Sequence, residues 1–328
     1  MLRTSERGSL KRCEFAWDLG FNQKLKPLID APALRFGSLV HKALAAYYIP
    51  GVKRGMNPAT AFKRAYAADL KRNNEIFGLR LEEEERWVDA LDLGVAMLDN
   101  YVDEYGSDES FEVLVTEMPF QVQVPHPETG KPWFMYTGVL DGVWQNRHTK
   151  EIWIPEHKTT AGISSKLSYL QMDDQAGAYW SFGLEYLVQN GMLTAHKELS
   201  GILYNFLRKA LPDERASRFV NGTRLYVNQN GEVSKRQPSP YFMRMPIFRD
   251  EYDRKQVIRR AMNEYARIEM FRAGKLQITK NSGMFTCPQC SYRDACEIHE
   301  TGGDYETFLK QTTQAWQPYE EHEVYDGR

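Results

Sequence analysis

The stretch Glu151-Ile-Trp-Ile-Pro-Glu-His-Lys158, with Tyr136-Thr-Gly-Val-Leu-Asp-Gly-Val-Trp144 just before it, decides the fold. Both segments are rich in β-branched and aromatic residues, which suits strands. Side chains alternate faces along a strand, so Ile152, Ile154, Glu156 and Lys158 share one face. The near half of that face is apolar, and the far end carries a carboxylate and an ammonium. Two charges at the end of a buried strand are costly unless paired or bound to a metal. Asp141 stands alone in an apolar segment, and turn residues at 146–149 allow an antiparallel return that brings it beside Glu156. Two converging carboxylates are hard-oxygen ligands suited to Mg2+ or Mn2+. A neighbouring Lys orients a water or offsets developing charge. These are the parts phosphodiester hydrolysis needs. The same residues also fit a salt bridge of Lys158 with either acid, and spacing alone does not separate the two.

Working outward, residues 111–124 have the same texture. With 133–144 and 150–158 they predict a three-stranded antiparallel meander, with Pro125, Pro127 and Gly130 in the first connection. Glu117, an acid inside the first of these strands, belongs either to the surroundings of the site or to a solvent-facing position. Upstream, 37–48 reads as a helix with an apolar stripe of Leu39, Val40, Ala43, Leu44 and Tyr47. A second helix is predicted over 82–105, where Val88, Leu91, Val95, Leu98, Val102 and Tyr105 recur at steps of three and four. Downstream come a helix over 169–189, a buried strand over 201–207, a long loop or hairpin over 212–240 and a last helix over 249–273. Helices, meander, helix, strand, helix describe a mixed α/β core with helical additions.

The 328 residues are 42% hydrophobic and 26% charged, ordinary for a globular protein with a real core. No apolar run approaches the ~20 residues that span a bilayer. The N-terminal MLRTSERGSLKR lacks the apolar stretch of a secretory signal, so a cytoplasmic protein with no membrane partner is expected. The net charge of -2 offers no global attraction to nucleic acid. Residues 1–35, with seven Lys/Arg against four Asp/Glu, and residues 244–280, with Arg254, Lys255, Arg259, Arg260, Arg267 and Arg272, are local phosphate grips or solvated faces. The acidic stretch 82–112 suits neither DNA nor phosphate.

Cys287, Cys290 and Cys296 form C-x2-C-x5-C, and Cys13 lies almost the whole chain away. Without an export signal, disulfides are not expected. Four thiolates suit a four-iron, four-sulfur cluster or a structural zinc. Zinc has a second option in Cys287, Cys290, Cys296 and His299, which leaves Cys13 unused.

Gly138-Val-Leu-Asp141 followed by Glu156-His-Lys158-Thr159 resembles the PD-(D/E)XK nuclease signature. Arg35-Phe-Gly-Ser-Leu-Val-His41-Lys-Ala-Leu44, the Gln175-Ala-Gly-Ala-Tyr179 element, their order, and the split cysteine set resemble the RecB-like exonuclease branch, in particular AddB-type and CRISPR-associated nucleases with an iron–sulfur cluster. Two positions depart from the pattern: Glu14 stands where Pro usually follows the first cysteine, and His157 stands where apolar residues are commoner. The resemblance implies an α/β PD-(D/E)XK core, a central mixed β-sheet flanked by helices, with an N-terminal helical insertion and a C-terminal cysteine segment. It implies one nuclease domain over 1–300, with 1–36 and 274–300 as an iron–sulfur clamp and 50–110 as the insertion, then a tail over 301–328. It implies His41, Asp141, Glu156 and the carbonyl of His157 as ligands of Mg2+ or Mn2+. Lys158 would position the attacking water, with Gln175 and Tyr179 beside it as catalytic residues. The cluster would be held by Cys13, Cys287, Cys290 and Cys296.

The expected function is a metal-dependent DNA nuclease acting on single strands or ends in recombination, repair or phage DNA processing. Tyr179, Arg208 and Lys209 are the candidate DNA contacts. Tyr169, Trp180 and Tyr204 are further candidates for stacking, most of them more at home in a core. No GxxxxGK[ST] phosphate loop is present, so a helicase or recombination partner would have to supply any motor. The competing expectations are an inactive end-binding scaffold of the same fold and a zinc-stapled structural protein.

Overall fold

The computed structural model describes residues 1–29, 31–77 and 81–319, with side chains at all of these except 73–77 and 81–87. The end of the expected tail, 320–328, and the side chains that open the acidic stretch lie outside the described residues. The chain opens with β1 (Leu2–Arg3), α1 (Thr4–Arg12), α2 (Glu14–Trp17), a π-helical turn Asp18–Asn22 and β2 (Leu25–Pro27). Three helices follow, α3 (Pro32–Tyr47), α4 (Pro58–Phe77) and α5 (Leu81–Tyr105). Then come β3 (Phe111–Pro125), β4 (Pro132–Asn146) and β5 (Ile152–Thr160). After α6 (Ser164–Leu167) and a 3-10 turn Leu170–Met172 the chain forms α7 (Asp174–Ala178), a π-turn Tyr179–Gly183 and α8 (Leu184–Gln189). The rest is β6 (Leu199–Arg208), β7 (Ser217–Val220), β8 (Thr223–Tyr226), β9 (Phe242–Phe248), α9 (Glu251–Arg272), α10 (Arg293–Glu300), α11 (Tyr305–Thr312) and β10 (Thr313–Ala315).

Local signals explain most boundaries. Pro32 starts α3, five residues ahead of the expected start at 37, because its fixed φ and missing N–H suit a first turn. The Asn57 side chain accepts from the Thr60 N–H at 3.1 Å and caps α4, a helix the periodicity did not single out. The predicted helix over 169–189 begins later. Asp173 accepts from the Gln175 N–H and starts α7, and the π-turn interrupts the helix before α8. Asp250 and Asp253 cap α9 reciprocally.

The main sheet runs β1-β4-β5-β6-β9, with β3 on the other edge of β4. It is mixed: β5 and β6 are parallel, and β3–β4, β4–β5 and β6–β9 are antiparallel. The predicted meander is present, and 212–240 contains the β7–β8 hairpin. The strand β9 was not expected. It carries Pro246, which an edge strand tolerates. One face of the sheet packs α3–α5 against Trp144, Trp153, Leu203 and Leu207. The other packs α1, the helices of 174–189 and α9 against Leu140, Ile154, Ile202 and Tyr204. The sheet is therefore covered on both sides, which is why β5 is buried at Trp153 as well as Ile154.

The feature that positions the site is a fork. β4 and β5 pair only at Trp144–Trp153 and Gln145–Ile152, then part. Asp141 and Glu156 lie on the two prongs. Among the described residues no helix is long and apolar enough to cross a membrane.

Candidate active site

Asp141 closes the fork. Its Oδ2 accepts from the backbone N–H of His157 at 2.7 Å, supplying an acceptor to a strand that has left its partner. Its Oδ1 lies 3.1 Å from His41 Nδ1, and His41 Nε2 lies 2.9 Å from the carbonyl oxygen of His157. His41 reaches the site from the middle of α3. The helix thus spans the mouth of the fork from Asp141 to the backbone of β5.

Glu156 is wholly buried. Its Oε1 lies 2.6 Å from Lys158 Nζ, but neither of its oxygens accepts a hydrogen bond in proper geometry. The spacing that puts residues 156 and 158 on one face therefore does bring them together, and it leaves the carboxylate short of partners. Lys158 Nζ instead donates to Gln175 Oε1 at 2.7 Å, and Gln175 Nε2 donates to the Tyr179 hydroxyl at 3.1 Å. The i, i+4 spacing of Gln175 and Tyr179 places both on the same helix face. Tyr204, buried in β6, donates to Asp173 Oδ2 at 2.8 Å, and Asp173 in turn fixes the first turn of α7 that carries Gln175.

The charges respond to this crowding. Burial disfavours the ionised form of Glu156 and Asp141 adds repulsion, so the carboxyl rises to about 7 despite Lys158. Burial and the Asp141 charge raise Glu117 to about 8. Burial works against the charged forms of His41 and Asp141 too, but their mutual attraction and hydrogen bond prevail. His41 rises to about 9 and Asp141 falls to about 2. Burial opposes the Lys158 ammonium, and Glu156 followed by Asp173 outweighs it, so its pKa is raised. His157 is held neutral, its pKa pushed down to about 3 by burial.

A model of the PD-(D/E)XK nuclease superfamily matches residues 5–297. The chain belongs to the PD-(D/E)XK nuclease superfamily. The comparison with curated proteins returns no match. The forked sheet with flanking helices has the mixed α/β architecture of that superfamily.

The site of this PD-(D/E)XK protein contains an acid whose place the sequence left open. Thr116 pairs with Gly142 and Met118 with Leu140, so Glu117 faces Asp141 across the β3–β4 ladder. One ligand atom each from His41, Glu117 and Asp141 lies within 4.8 Å of the others. The available signal was an acid inside a strand, but nothing local told which way it turned. Its φ of +44° departs from the extended strand and reorients the residue.

His157, which departs from the usual apolar choice, has a role in packing. Its Nδ1 accepts from Asn205 at 2.9 Å, and Asn205 also donates to the Tyr101 hydroxyl at 2.9 Å. Tyr101 meets Tyr48 at 2.6 Å, and Arg244 donates to both hydroxyls and to Asp108. The polar chain ties the residue that ends α3, and α5, to β5, β6 and β9 beneath the site.

The four cysteines are free and half-buried, and all line one cavity of about 520 Å³ with Phe15, Lys280 and Tyr292. The backbone N–H groups of Asn281 and Gly283 point at the sulfurs of Cys13 and Cys287, at 3.5 and 3.4 Å. His299 is not in the wall of the cavity, and its Nδ1 lies 2.7 Å from Lys280 Nζ. The expected DNA contacts are placed differently from one another. Arg208 stacks over Tyr241 at 4.2 Å, and Lys209 follows it, bonded through its N–H to the Thr160 carbonyl at 2.8 Å. Tyr179, Trp180 and Tyr204 are buried, whereas Tyr169 is exposed. The basic residues of α9 are largely engaged: Arg254 pairs with Glu185, Arg260 with Asp174, Arg267 with Glu14 and Arg272 with Glu6.

Proposed function

We propose that this superfamily member is a metal-dependent deoxyribonuclease of the RecB-like branch. It would hydrolyse phosphodiester bonds in single-stranded DNA or at DNA ends during recombination, repair or phage DNA processing. The observation that carries the proposal is Glu156, a buried carboxylate with no hydrogen bond to either oxygen, next to Asp141 and Lys158. Lys158 Nζ at 2.6 Å answers part of that charge, and a carboxylate buried without a hydrogen bond beside a second acid favours a further cation. The donor set of carboxylates, an imidazole and a carbonyl fits Mn2+ or Mg2+.

His41, Asp141, Glu156 and the His157 carbonyl would hold the ion. When bound, a divalent cation polarises the phosphoryl oxygen and acidifies the attacking water. Lys158 has a raised pKa, so at neutral pH it is a charged donor that positions water or phosphate and not a base. Gln175 fixes the ammonium in one direction, and Tyr179 fixes Gln175. Arg208 and Lys209, at the end of the strand beside β5, would contact phosphates, and a helicase or recombination protein would deliver the DNA.

The same proposal places a four-iron, four-sulfur cluster on Cys13, Cys287, Cys290 and Cys296. All four thiols face one cavity. Among the described residues, the three His, Cys, Asp or Glu ligand atoms gathered within 4.8 Å of one another are those of His41, Glu117 and Asp141, not those of the cysteines. Sulfurs around one tetrahedral zinc, each at about 2.3 Å from the ion, would sit closer together than that limit. The wider setting and the N–H groups aimed at sulfur support a cluster.

The test is anaerobic purification, a visible absorption spectrum with iron and zinc analysis, then digestion of end-labelled DNA with Mn2+ or Mg2+. Lys158→Ala should lose at least about two orders of magnitude in rate while keeping the far-ultraviolet circular dichroism of the folded protein. Wild-type protein that is inert with every divalent ion overturns the enzyme proposal, and a colourless protein with one zinc overturns the cluster.

A further inference from the structure

Four observations converge on Glu117. First, it faces Asp141 in adjacent antiparallel strands, an arrangement in which like charges repel. Second, among the described residues it has no hydrogen-bond or salt-bridge partner, although one of its oxygens lies within 4.8 Å of ligand atoms of both Asp141 and His41. Third, Glu156 lies buried in the same field with no well-formed hydrogen bond to either oxygen, and its Oε1 is ion-paired with Lys158 at 2.6 Å. Fourth, His41 spans Asp141 and the His157 carbonyl with its two ring nitrogens, at 3.1 and 2.9 Å. Three carboxylates thus converge against one lysine and one imidazole.

We infer that Glu117 is a direct ligand of the divalent cation, completing with His41 and Asp141 a three-sided position next to Glu156. This rests on the metal-dependent reading of the site. It adds a ligand that the D…E-x-K spacing does not contain, contributed by β3 and not by the forked strands. Hard divalent ions take about six donors, and two carboxylates with an imidazole and a carbonyl leave room for another oxygen. The left-handed residue is what turns an acid out of the regular strand alternation.

The experiment uses the full chain, freed of metal by chelation and dialysis, with Mn2+ alone as the probe. Binding is read by calorimetry and by the electron paramagnetic resonance signal of free Mn2+, at fixed pH, without DNA. Glu117→Gln should weaken Mn2+ binding at least about tenfold while the metal-free protein melts at the same temperature or higher, since a neutral isostere replaces an acid that faces another acid. Glu117→Gly is the second variant. Glycine tolerates a φ of +44° without strain, so loss of affinity there cannot be laid to a damaged strand. Mn2+ affinity equal to wild type in either folded variant overturns the inference. Wild-type protein that binds no Mn2+ overturns the underlying metal reading instead, so the two failures are distinct.

Discussion

At the scale of single residues the site is an electrostatic problem with a pH signature. Glu117 and Glu156 titrate at about 8 and about 7, above their ordinary 4.5. An acid with a raised native pKa makes the folded state bind more protons than the unfolded one. Stability therefore falls as pH climbs from about 4.5 through those values. His41, raised from 6.5 to about 9, contributes stability that is complete below 6.5 and lost as pH rises through 9. Asp141, depressed to about 2, contributes above 3.8 and loses its share only in strong acid. All three raised groups act in the same direction over the neutral range. The metal-free protein should melt at steadily lower temperature from about pH 6 to about pH 9, and saturating Mn2+ should flatten the slope by replacing protons. Calorimetric scans with chelator and with Mn2+ check this. A metal-free melting temperature that climbs over that interval contradicts the charge arrangement.

At the scale of elements, β5 explains why the site was legible and much around it was not. Asp141, Glu156 and Lys158 are read from local alternation, because a charge inside an apolar strand is anomalous wherever the strand ends up. Gln175 and Tyr179 come from the resemblance, with which their helical spacing agrees. Glu117 depends on one backbone angle in β3, which no side-chain pattern records. The helix α4 is alanine-rich and lacks a bold stripe, and β9 hides behind Pro246. Arg244 looked from sequence like part of a basic stretch, yet it is half-buried, paired with buried Asp108 and stacked 4.0 Å over Tyr105. These contacts hold β9 to the end of α5 and the turn after it, and anchor the Tyr48–Tyr101–Asn205–His157 chain beneath Asp141 and Glu156. Arg244→Met should leave Asp108 buried without its cation and cost about 3–5 kcal/mol. Arg244→Met with Asp108→Asn should recover part of that, because the stranded charge goes too. Urea unfolding of the two variants decides it. Strictly additive losses would mean that the pair is not coupled.

At the scale of the whole molecule, the N-terminal and C-terminal segments are one structure. β10 pairs with β2, and Leu19, Ala295 and Leu309 share a small core. Glu14 accepts from the N–H and the hydroxyl of Thr279, at 2.9 and 2.7 Å, and pairs with Arg267. Glu14, where the resemblance leads one to expect Pro, thus has a use of its own: it bonds the strand of chain that leads to the cysteines. Cys13 completes the junction. The proposed cluster would link it to Cys287 and close a loop of more than two hundred residues, for which the loop-entropy estimate is about 5 kcal/mol. The cluster would not contribute all of this, since Glu14, β10 and the small core already hold the ends together. Cys13→Ser, purified anaerobically, should therefore lose iron and also a few kcal/mol of stability, while its far-ultraviolet circular dichroism stays close to wild type. Limited proteolysis should then cut first in 274–286, the stretch without helix that carries Thr279 and leads to Cys287. Iron loss with an unchanged unfolding midpoint and an unchanged digestion pattern would show that the protein contacts alone close the molecule, leaving the cluster no part in holding its ends.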